Sequence, residues 1–145
     1  MTYKKVISLF QEVCVSHLGI NNFQTGTLDT LNSSVDTPYP YVFLRPMPSP
    51  GMKNKARILN FEMYVLDAVR LSNESPVDII SRLEVTTYDI SNFFNVGPYQ
   101  QDIDFTINNI MPVNEAFGDR IYGWMSNVSV RTPYSPNYCL FPKQV

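Results

Sequence analysis

Few side chains in this sequence have types and spacings that would support chemistry, and each has a simpler structural reading. The single histidine, His17, falls at the end of a helical pattern. A zinc site needs three or four Cys, His or carboxylate ligands, and neither Cys14 nor Cys139 stands at a metal-ligand spacing from it. His17 is therefore expected to act at a helix C-terminus, where positive charge complements the dipole. Asp102 and Asp104 are two positions apart, so on a strand both project from one face. An acid pair or metal seat would need that arrangement, but a solvated strand face presents the same pattern and is the expectation here. There is no glycine-rich phosphate loop, no nucleophile elbow, and no cysteine with a histidine at a recognised family spacing. The sequence thus points to no catalytic, cofactor-binding or metal-binding residue, and to a protein that is not an enzyme.

Cys14 lies within an amphipathic helical pattern and is expected to be a small buried hydrophobe. Cys139 lies in a proline-rich tail, and a bond between the two is not expected in a cytoplasmic product. The opening Met1-Thr2-Tyr3-Lys4-Lys5 leads into a broken apolar pattern rather than a signal-peptide core. No apolar run approaches the length that spans a membrane. Synthesis in a cytoplasm is expected, which makes the sequons at Asn32, Asn73 and Asn127 chance matches.

The chain has 145 residues, which suits one domain. Hydrophobic residues make up 44%, enough for a core, which excludes an intrinsically disordered chain. Charged residues make up only 17%, and Phe and Tyr number nine each, a combination typical of surfaces covered by partners. The net charge is −2, and the densest basic stretch is Lys53, Lys55 and Arg57. A dedicated nucleic-acid binder needs a basic face, and none is present.

The elements that would carry these residues follow from periodicity. Val6, Ile7, Phe10, Val13, Cys14 and Leu18 recur at helical steps and predict a helix over 3–18, stopped by Gly19. Residues 20–38 read as a loop or a weak strand pair. Tyr41 to Pro46 reads as a strand, and 57–67 alternates cleanly, with Leu59, Phe61, Met63 and Val65 toward the core. Met47 to Ala56 between them is expected to be a long hairpin tip. Ser75-Pro76 with Asp78 is a helix entry, and Ile80, Leu83, Thr87, Ile90 and Phe94 form the stripe of a helix reaching about Phe94. Asp102 to Met111 alternates, placing Ile103, Phe105, Ile107 and Met111 on one face. Residues 112–120 read as a loop, and Tyr122 to Arg131 as the last strand, with Tyr122, Trp124, Val128 and Val130 on one side. Trp124 is read as a core anchor. The fold class is α+β: an antiparallel sheet of about four strands with two helices packed on one face. The domain is expected to occupy 1–131. Residues 132–145, rich in proline and aromatics, are expected to form an extended arm.

Four segments carry a resemblance: Tyr39-Pro-Tyr-Val-Phe-Leu-Arg-Pro-Met-Pro-Ser-Pro50, Leu59-Asn-Phe-Glu-Met-Tyr-Val-Leu-Asp67, the helix from Ser75 to Phe94, and Phe117-Gly-Asp-Arg-Ile-Tyr-Gly-Trp124. Together they resemble the small neck, or tail-completion, proteins of tailed bacteriophages, which have a tail-terminator-like fold. The ring proteins of crAss-like phages are the nearest of these. The motifs are packing and turn motifs, none of them catalytic. The resemblance implies a virion structural protein, a head-to-tail connector synthesised in the bacterial host cytoplasm. It implies a homo-oligomeric ring in multiples of six, about twelve copies, bound to the portal and other neck or tail proteins and to no membrane. Genomic DNA would pass through that ring without sequence-specific binding during ejection. The tail after Arg131 is longer than that domain needs.

Two elements suit inter-subunit contact. One is the hairpin tip, with Met47, Met52, Lys53 and Lys55. The other is the arm, with Tyr134, Tyr138, Leu140 and Phe141. The competing expectation is a small non-enzymatic adaptor or binding module that uses its sheet edge and the same C-terminal arm.

Overall fold

Helix α1 spans Tyr3–Ser16 and is opened by Thr2, whose hydroxyl accepts the Lys5 N–H at 3.2 Å. A computed structural model of the chain describes residues 2–27, 39–53, 55–68, 75–96, 103–116 and 121–133, with the side chains of 53, 115 and 116 outside that description. Val6, Leu9, Phe10, Val13 and Cys14 form the buried face of α1. The helix ends two residues before the predicted position. His17 is extended (φ −85°, ψ 124°) and its N–H returns to the Cys14 carbonyl at 3.3 Å. Leu18 thereby leaves the apolar face and is fully exposed, against expectation.

Five strands form one sheet in the order β1-β2-β3-β5-β4. They are β1 Asn22–Thr25, β2 Tyr41–Lys53, β3 Ala56–Ala68, β4 Asp104–Ala116 and β5 Ile121–Pro133. β1 runs parallel to β2 at Tyr41–Leu44, and the other pairs are antiparallel. The sheet is therefore mixed and five-stranded rather than a four-stranded antiparallel one. The short polar β1 lies in the segment 20–38, read from its composition as a loop or a weak strand pair.

The largest departure is at the predicted hairpin tip. Pairing of β2 with β3 continues to Lys53↔Ala56, leaving only positions 54 and 55 between the last partners, with Lys55 at φ 61°. Pro46, Pro48 and Pro50 can donate no ladder hydrogen bonds, which argues against a strand. The strand survives through an irregularity between Met47 and Gly51 and through side chains that replace the missing bonds. The Ser49 hydroxyl accepts the Asn60 N–H at 3.0 Å, and the Asn60 amide donates to the Pro48 carbonyl at 3.2 Å. β1 has already ended at Leu44, so these prolines lie on an edge, where they deter pairing with other strands.

Helix α2 spans Pro76–Val96. Its cap is reciprocal: the Ser75 hydroxyl accepts the Asp78 N–H at 3.2 Å and donates to the Asp78 carboxylate at 2.9 Å. Ile79, Leu83, Thr86, Thr87, Ile90 and Phe94 are buried, and Ile80 packs at the margin. Both helices cover one sheet face. There Phe10 meets Phe61, Phe94 and Phe105 with ring centroids 5.0–5.7 Å apart, and Phe94 stacks on Phe105. Phe61, Met63 and Phe105 are buried as expected, while Ile107 and Trp124 are partly buried against the same cluster.

β4 extends through Ala116, into the segment 112–120 read as loop. A register shift between Ile107 and Asn109 reverses its alternation, so Met111 is 53% exposed instead of sharing the face of Phe105. β5 likewise continues past Arg131. Thr132 is buried and pairs with Arg57, so it belongs to the sheet and not to the arm.

Candidate assembly surfaces

The face of the sheet opposite the helices has two unlike halves. Tyr41, Phe43, Tyr64, Leu66, Ile121 and Met125 form a second buried cluster at one end. The unbroken apolar run Tyr41-Val-Phe-Leu44 is the sequence signal for it: all four side chains are inaccessible, alternately on the two faces. The sequence reading assigned a core to one face only. Gly123 lies in this half, and a Cβ on it would stand 1.9 Å from the Val65 carbonyl oxygen, so β3 and β5 approach there as only glycine permits.

The other half is polar. Arg45 donates from Nη1 to Glu62 at 2.6 Å across β2 and β3. Burial and the neighbouring Glu62 charge push the Tyr64 hydroxyl above its ordinary range, and Arg45 opposes the rise. Beyond it a ladder crosses three strands: Asn108 donates to Ser129 at 2.9 Å, and Ser129 donates to Asn60 at 2.8 Å. Asn127 donates to Asn109 at 2.5 Å alongside. Asp104 is exposed on β4, paired in register with Arg131, in keeping with the solvated-face reading; Asp102 lies outside the described residues.

The expected contact residues are distributed as follows. Met52 is 55% exposed and Lys55 is exposed, both at the far end of the β2–β3 hairpin, while Met47 is half-buried further in. Lys53 closes β2, its side chain undescribed. Tyr134, Tyr138, Leu140 and Phe141 lie outside the described residues.

The residues with chemical potential are engaged structurally. The Gly19 N–H donates to Nδ1 of His17 at 2.9 Å, which leaves the proton on Nε2, and that nitrogen lies 2.9 Å from the Asp89 carboxylate. His17 thus ties α1 to α2, a role beyond the dipole reading. Asp67 is buried, accepting the Ala68 N–H at 2.8 Å and Nη2 of Arg82 at 2.7 Å, which clamps α2 to β3. Burial pushes the Cys14 thiol up to about 12, so it is inert at neutral pH. Among the described residues no three His, Cys, Asp or Glu side chains group to hold a metal ion, and no helix is long and apolar enough to cross a membrane.

Compared with known proteins, the chain matches no family model and no curated protein in sequence.

Proposed function

We propose that this chain is a structural subunit of the neck of a tailed bacteriophage. Copies of it form a ring between head and tail, with a tail-terminator-like fold, and genomic DNA passes through. The observation that best supports the reading is the β2–β3 hairpin. Its distal half, which composition marks as a loose tip, is paired strand to Lys53↔Ala56, and β3 stays paired with β5 to Ala56↔Pro133. A stiff strand end bearing exposed Met52 and Lys55 loses little conformational entropy on docking, and Met supplies adaptable apolar contact. The portal and adjoining neck proteins would be its neighbours. The lumen avoids strong positive charge, because tight phosphate binding would slow DNA transit.

A specific observation favours the adaptor reading as the second choice: β4, a thirteen-residue strand, ends the sheet and pairs with β5 on one side, an edge suited to strand addition. Light scattering and negative-stain imaging of the purified chain, with imaging of purified virions, separate the two. Rings, or presence only within particles, support the neck subunit. A monomer or dimer absent from virions rejects it.

A further inference from the structure

Arg57 on β3 and Thr132 on β5 are direct cross-strand partners. Counting by twos along each strand, they share the face of Phe61 and Val130, the face packed by the helices. Thr132 is fully buried and its hydroxyl has no hydrogen-bond partner. Nε and Nη2 of Arg57 are also closed to solvent and unpartnered. Buried polar groups are ordinarily bonded and buried charges ordinarily paired. This chain keeps that rule elsewhere, with Arg45 on Glu62 and Arg82 on Asp67. Among the described residues the exception is concentrated at one pair of positions.

The identity of the orphaned atoms is informative. Nε and Nη2 are the two donors along one edge of the guanidinium, and that edge is the fork that matches the two oxygens of a carboxylate. The Thr132 hydroxyl is a third donor on the neighbouring strand. Met52, the partner of Arg57 on β2, is 55% exposed, so the pair lies next to the surface at the end of the sheet.

We propose that Arg57 and Thr132 form a carboxylate-binding site that receives an Asp or Glu side chain of a second copy when subunits associate. This occupant rests on the reading of the chain as a self-assembling subunit. The fork is closed in the free subunit, so an occupant enters only as the side chains over it give way, a route open to a docked carboxylate and to a carboxylate as small as formate. The chain also supplies the complementary groups, with 13 acidic residues against 11 basic ones.

Formate is the probe. Thermal melting of the full chain is followed against sodium formate, sodium phosphate and sodium chloride at equal ionic strength, with Arg57→Met and Arg57→Lys beside the wild type. Formate should raise the wild-type Tm saturably, by a few degrees and more than phosphate does. It should leave Arg57→Met unmoved and Arg57→Lys nearly so, because lysine keeps the charge and loses the fork. An equal formate response in wild type and Arg57→Met, or a stronger response to phosphate, overturns the carboxylate site whatever the oligomeric state. Sedimentation velocity then tests the occupant: Arg57→Met should shift the folded protein from assembled to monomeric by at least tenfold in association constant. Normal assembly of Arg57→Met overturns the second-copy occupant. A wild type that remains monomeric throughout, with its formate response intact, overturns that occupant and the ring reading while leaving the carboxylate chemistry standing.

Discussion

The indole Nε1 of Trp124 donates to the main-chain carbonyl oxygen of Ile80 at 2.7 Å, joining the last strand to the second helix across 44 positions of sequence. Trp124 is only partly buried, yet its polar edge is engaged inside the subunit and its rings pack on the core beneath α2. This supports an anchor role over an interface role. Trp124→Phe keeps most of the apolar contact and removes the donor, so it should cost about 1–2 kcal/mol in urea denaturation. A variant with unchanged stability and lost assembly would move Trp124 to an interface.

Phe61 offers a stricter test of the strand faces. It is 1% exposed, and its ring meets Phe10 at 5.7 Å and Tyr3 at 6.2 Å. Phe61→Ala leaves a cavity between sheet and α1 and should cost about 3–5 kcal/mol, read as a lowered denaturation midpoint. A loss below about 1 kcal/mol would mean that the faces of β3 are reversed.

Much of this architecture is legible in the residues, and the exceptions have local causes. Alternation places Phe61, Met63 and Val65 in the core, and Ser75-Pro76 with Asp78 marks the start of α2 within a residue. Composition fails from Met47 on, where Pro48 and Pro50 indicate a loose tip, because the Ser49 hydroxyl serves as an acceptor and the Asn60 amide as a donor in place of main-chain groups. Periodicity fails at Met111, because the register shift between Ile107 and Asn109 inverts the side chains that follow it, up to a second shift after Val113. The His17–Asp89 link spans 72 positions and the Arg57–Thr132 pair spans 75, so no local pattern announces either. Composition alone cannot indicate that Nε and Nη2 of Arg57 would be closed to solvent without a partner, since an arginine beside two lysines reads as a solvated tip.

Gly123 tests the closeness of β3 and β5. A methyl group there would stand 1.9 Å from a carbonyl oxygen and 3.0 Å from the Leu66 Cα, both main-chain atoms that cannot rotate away. Gly123→Ala should therefore cost more than about 3 kcal/mol or prevent folding, checked by circular dichroism and denaturation. A well-folded alanine variant with an unchanged midpoint would show that the two strands are further apart.

Cys14 links burial to pH. Burial holds the folded thiol up to about 12, from an ordinary value of 9.0. Below about pH 9 the thiol is protonated in both states, and its contribution to stability is fully present. As pH rises from there toward 12 the unfolded thiol ionises first, so that contribution is lost. In a Cys139→Ser background, iodoacetamide at pH 8 should label the native chain at least a hundredfold more slowly than the urea-unfolded chain. Rapid native labelling would place Cys14 at the surface.

The C-terminal arm tests the assembly reading most directly, and the end of β5 determines where to cut. Truncation after Arg131 would remove Thr132, which is buried and paired with Arg57, so a defect there would mix folding with assembly. Truncation after Pro133 spares the sheet. The removed segment 134–145 carries Pro136 and Pro142, which restrict the unbound chain, and Tyr134, Tyr138, Leu140 and Phe141, which would bury on a neighbour. Twelve residues extended reach roughly 40 Å, enough to cross a subunit boundary. The truncated chain should melt within about 1 kcal/mol of the full chain, with assembly lost or its association constant lowered at least tenfold. Full occupancy of the truncated protein in particles would show that the arm is not an assembly element. A large fall in stability would instead show that the arm folds back on its own subunit.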